Sequence, residues 1–126
     1  MKKVQFHEFD PVIYPFKVWV VITSDDNIVK SRYCEPDNKE LDIELKGYDA
    51  TTSFLKDRIT KKKGVLIAFS KRRNMDMNTV AHESSHAAKI IYDKIGAEVG
   101  PHEPFEYLLG WIAECCDKVR RNKFDE

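Results

Sequence analysis

The chain has 126 residues, 42% of them apolar and 33% charged, a balance that suits one soluble globular domain. Its 21 basic and 21 acidic residues cancel, so no overall field would gather nucleic acid or an anionic membrane surface. No apolar run approaches the roughly 20 residues of a membrane span, and the basic start Met1-Lys2-Lys3 has no apolar stretch behind it, so a cytoplasmic protein is expected.

Along the chain, Val4 to Phe9 is compatible with a first strand, and Pro11 and Pro15 bracket a turn after it. Phe16 to Ile22 is β-branched and aromatic almost throughout and predicts a strong strand. Asp25-Asp26-Asn27 carries turn chemistry, and Ile28 to Tyr33 is expected to return as the partner strand of a hairpin. Cys34 to Lys39, with Pro36, reads as a loop. Leu41 to Leu45 alternates with period two and fits a short edge strand or a helical turn, ended by Gly47. Ala50 to Leu55 predicts a strand, Lys61 to Gly64 a turn, and Val65 to Phe69 another strand. Cys34 stands alone and Cys115 and Cys116 are neighbours, so the three cannot all pair within the chain and reduced thiols are expected.

From Asp76 the period changes to about 3.6. Val80, Ala87, Ile91 and Ile95 recur on one face, Asp76 or Asn78 can cap the start, and Gly96 can stop the helix. A loop with Gly100 and Pro101 follows. A last helix, starting near His102 to Pro104, carries Phe105, Leu108, Leu109, Ile112, Cys116 and Val119 as its apolar stripe. Lys118, Arg120, Arg121 and Lys123 suit the helix carboxyl end. Strands first and helices after predict a single α+β domain over residues 1–126. Its β-rich part is 1–74, and its helices span about 76–95 and about 103–121.

Inside the first helix lies His82-Glu83-Ser84-Ser85-His86, the His-Glu-x-x-His spacing. Residues four apart share a helix face, so the two imidazoles can reach one zinc ion. Glu83 sits about 60° around from His86, which suits a general base acting on a zinc-activated water and not a ligand. A catalytic zinc takes a third protein donor, and Glu103 and Glu106 both follow at distances that let a second helix bring a carboxylate back. Helical geometry leaves these two nearly tied; Gly110 and Ala113, on the side of Glu106, would permit close approach of the metal-bearing helix. Lys61-Lys62-Lys63 and Lys71-Arg72-Arg73 read as solvated turns, and His7 and His102 as ordinary polar residues.

This motif, with a glutamate on the following helix, resembles the gluzincin group of zinc metallopeptidases. More narrowly, Val80 to Ala88 with Glu103-Pro104-Phe105-Glu106-Tyr107-Leu108-Leu109 is similar to small zincin-like proteins of bacterial prophages and mobile elements. The resemblance implies a zincin-like fold, a small twisted mixed sheet packed on the metal helix and a C-terminal helix. It implies Zn2+ held by His82, His86 and Glu103, the glutamate before proline, with Glu83 as catalytic base. Glu106 stands where the family usually has alanine, and His102 where it has an acidic residue. Tyr107, one turn beyond Glu103, stands where it could contact an oxyanion or merely orient a ligand. The implied activity is hydrolysis of a peptide or protein substrate laid along an edge strand, expected at Val65 to Phe69. The alternative is a catalytically silent binding or assembly module of a phage or mobile element.

Overall fold

Alternation along one strand sets the architecture. The structure, a computed structural model, describes residues 4–100 and 103–121; the expectations placed on Met1 to Lys3, Pro101, His102 and Lys123 lie outside them. Strand β2 (Lys17–Ile22) sends Val18 and Val20 to one side of a sheet and Trp19 and Val21 to the other, all fully buried. A strand buried on both faces needs cover on both, and the chain supplies two cores. Val18, Val20, Val65, Ile67 and Phe69 pack against two long helices, α2 (Met77–Ile95) and α3 (Glu103–Arg121). Trp19, Val21, Leu66 and Ala68 pack against Val29, Tyr33, Leu41 and Leu45 on the opposite side.

The sheet has five strands in the order β1-β2-β5-β4-β3 and mixes parallel and antiparallel pairing, in an α+β arrangement. Strand β1 (His7–Phe9) pairs antiparallel with β2, and β2 pairs parallel with β5 (Lys63–Phe69). Strand β4 (Ala50–Asp57) lies antiparallel on the other side of β5, and the two-residue β3 (Tyr33–Cys34) touches only the end of β4. Val65 to Phe69 is therefore the central strand and not an edge. Its side chains are all buried, which matches its nearly continuous apolar sequence.

The expected hairpin after Ile22 is absent among the described residues. Asp26–Arg32 is instead a short helix, α1. The Asp25 side chain accepts a hydrogen bond from the Asn27 amide as an N-cap, Asp26 sits in the first turn, and Lys30 and Arg32 sit in the last, so residues that suggested a turn act as a helix start. Leu41 to Leu45 forms no regular element; Leu41 and Leu45 are pinned by burial, and the Leu45 amide donates to Asp26 Oδ1 at 2.7 Å. The turn before β5 falls at residues 58–60, where Asp57 Oδ1 accepts from the amides of Ile59 and Thr60. Lys63 and Gly64 consequently belong to β5. Arg72 does not sit in a solvated turn: it lies in a 3-10 turn, Arg72–Asn74, and donates to the carbonyls of Val119 and Arg120, closing the carboxyl end of α3. Cys34, Cys115 and Cys116 are free thiols, all buried. Among the described residues no helix is long and apolar enough to cross a membrane.

The β2–β5 pairing rests on Gly64. A methyl group there would meet the Lys17 carbonyl and stand 2.8 Å from the Trp19 ring, while at Gly110 on α3 it would meet open space. Gly64→Ala is expected to destabilise the fold by about 1–3 kcal/mol. Gly110→Ala is expected to stabilise it by about 0.5–1 kcal/mol through helix propensity alone. Urea denaturation of both variants checks the pair; equal effects would contradict the tight strand approach.

Candidate metal centre

Helix α2 starts where Asp76 accepts a hydrogen bond from the Thr79 amide, and it ends at Gly96, whose φ of 75° is the left-handed conformation that glycine adopts freely. Its core face carries Val80, Ser84, Ala87, Ala88 and Ile91, all buried. At about 100° per residue, His82 falls opposite the centre of that face and His86 next to it, and both side chains are exposed. The chain spends its apolar residues on the sheet side and leaves the two imidazoles on the outer side.

The imidazoles converge. Nε2 of His82 lies 3.1 Å from Nε2 of His86, with ring centroids 4.6 Å apart and planes at 83°. A tetrahedral zinc with Zn–N bonds of about 2.0–2.1 Å holds two nitrogens roughly 3.3 Å apart, so the pair fits one shared ion. As a direct hydrogen bond, the contact needs one Nε2 protonated and the other not. With a metal between them, both present lone pairs and both protons sit on Nδ1.

Glu83 lies about 60° around the helix from His86, toward the sheet. It is buried at 7% exposure on the flank of α2 that meets β4, and its Oε1 accepts a hydrogen bond from the Thr52 hydroxyl at 2.6 Å. No motif in the sequence marks Thr52 as part of a site. Its local signal is a hydroxyl in a threonine-rich strand, and only the β4–α2 packing joins it to Glu83. On the inner side of Glu83, burial pushes the Cys116 thiol up to about 12. Burial likewise pushes Cys115 up to about 12.

Glu103 and Glu106 occupy the first turn of α3, exposed, where carboxylates also favour the helix dipole. Phe105 stacks edge-on against Tyr92 with centroids 5.1 Å apart, which sets the start of α3 beside the end of α2. Tyr92 is six residues beyond His86, about 9 Å along the helix axis. The fold thus brings His82 and His86 together but does not bring Glu103 or Glu106 to them. Among the described residues no group of three or more His, Cys, Asp or Glu side chains is assembled that could hold a metal ion. Tyr107 is 71% exposed and makes no hydrogen bond to either histidine. Gly110 and Ala113 line a groove of about 500 Å³ with Met77, Val80, Ala81 and Leu109. That groove opens on the face of Ala81 and not on the face of the histidines.

No known protein family, no curated protein and no solved structure matches this chain.

The geometry makes two measurements decisive. Zinc titration by calorimetry is expected to show one site per chain that His86→Ala weakens by about 100-fold or more, beyond the loss typical of an outer-shell change. Unchanged binding in that variant would place the metal elsewhere. Thr52→Val leaves a buried carboxylate short of a hydrogen bond and is expected to cost about 1–3 kcal/mol by urea denaturation, whereas Thr52→Ser should be closer to neutral.

Proposed function

We propose that this chain is a zincin-like, zinc-dependent hydrolase of peptide bonds. The observation that carries the reading is the pair of exposed imidazoles with Nε2 atoms 3.1 Å apart, on the same helix as a carboxylate turned toward the open part of a strand. His82 and His86 hold the metal. Glu103 is assigned as the third donor over Glu106 on the glutamate-proline pattern of the resembling family alone, not on a contact with the pair. When bound, zinc supplies a Lewis acid that polarises the scissile carbonyl and acidifies a water.

The remaining steps belong to the chain itself. Glu83 takes the proton of the attacking water and passes it to the leaving amine, and the Thr52 hydroxyl fixes which carboxylate oxygen is engaged and which is free. The substrate lies extended along β4, in place of the Val65 to Phe69 strand that the sequence suggested. Strand β3 covers β4 only at Lys56 and Asp57, so the stretch from Ala50 to Leu55 has no strand partner on its outer side among the described residues. A peptide paired there by its backbone passes next to Thr52 and Glu83.

One observation favours a second reading, a catalytically silent zincin-like module for binding or assembly in a phage or mobile element. The Glu83 carboxylate is buried and already hydrogen-bonded, as a structural carboxylate would be. Glu83→Gln separates the two. On the peptidase reading the variant keeps its zinc and loses hydrolysis of a peptide library by about 100-fold or more, because only the base is removed. Equal cleavage by wild type and variant, or none by either with zinc bound, overturns it.

A further inference from the structure

The open stretch of β4 carries charge as well as free backbone groups. The Asp57 amide donates to the Lys62 carbonyl and the Ser70 amide donates to Asp49, so the odd-numbered residues of this strand turn their backbone toward β5. The Arg58 amide donates to Arg32 on the opposite side. Backbone direction alternates along an antiparallel strand, so Ala50, Thr52 and Phe54 present their N–H and C=O groups outward. The side chains of the same three residues face α2: Thr52 reaches Glu83, while Ala50 and Phe54 pack on the core beneath the helices. A strand laid on this edge therefore runs over the flank of α2 from Glu83 toward Lys94.

The two ends of that path differ in charge. Asp49, exposed, precedes Ala50. At the other end, Lys94 Nζ sits 4.8 Å from the centroid of the Phe54 ring. Lys56 Nζ is oriented by the Asn38 side-chain carbonyl at 2.7 Å, and exposed Lys63 is its register partner on β5. Among the described residues none of these three ammonium groups is ion-paired. An ammonium held on an aromatic face beside unpaired strand groups is placed to meet a carboxylate on the incoming chain.

We infer that the β4 edge selects an extended peptide with an acidic side chain about two residues from the bond over Glu83, recognised by Lys94. This spacing follows from the strand: Phe54, beneath the Lys94 ammonium, lies two residues beyond Thr52, about 7 Å along β4. The inference deepens the peptidase reading and takes its substrate class from it.

The test uses the full chain as its Glu83→Gln variant, so that binding is read apart from cleavage. Its probes are fluorescein-labelled ten-residue peptides, identical except for Asp-Asp, Ala-Ala or Lys-Lys at the flanking positions. Fluorescence anisotropy should show the Asp peptide binding about tenfold more tightly than the Lys peptide, with a gap that shrinks as salt rises. Lys94→Glu should reverse the order, and N-methylation of alternate peptide amides should abolish binding by removing strand pairing. Equal affinity for the three peptides, or an unchanged order in a folded Lys94→Glu variant, overturns the inference. Selective binding by a chain whose wild type cleaves nothing would leave the inference standing and sink the peptidase reading alone.

Discussion

A helix packed on a sheet can be turned about its own axis, and for α2 that rotation decides where every candidate residue points. Two contacts fix it. Ala87, Ala88 and Ile91 are fully buried against the sheet, and the Glu83 carboxylate is tied to Thr52 on β4. Hydrogen bonds to a charged group contribute about 1.5–3 kcal/mol, enough to prefer one rotation among several that bury similar apolar area. With the core face and the β4 flank assigned, the histidines are left on the outer surface, and their i, i+4 spacing brings their rings together. The side of the fold on which the imidazole pair stands thus depends in part on a threonine thirty residues before His82.

The sequence made α2 legible because every local signal agreed. The period of about 3.6, the aspartate cap, the glycine stop and the His-Glu-x-x-His spacing all point to one helix. The strands β2, β4 and β5 were legible for the same reason. The hairpin after β2 was not, because Asp25-Asp26-Asn27 offers the same side-chain chemistry to a turn and to a helix N-cap. Strand order was out of reach as well. Val65 to Phe69 adjoins the metal helix in sequence, which suggested an edge, whereas its unbroken apolar run marks a strand buried on both faces.

Within the site, residues on a single element could be read and those joined across elements could not. His82, Glu83 and His86 need only helical geometry. Thr52 and Lys94 acquire their roles from the packing of β4 on α2, which no local pattern encodes. Glu103 and Glu106 depend on where α3 starts. The Phe105–Tyr92 contact sets that start beside the far end of α2 and not beside the histidines. Their carboxylates also serve the α3 dipole, a role that needs no metal.

The central claim is that the imidazole pair on α2 is where this chain holds a metal ion. Anomalous diffraction at the zinc edge, from crystals of the zinc-loaded chain, tests it most directly. The claim predicts one strong peak within bonding distance of Nε2 of both His82 and His86. A peak away from the two imidazoles, or none at all with the protein saturated in zinc, would contradict it.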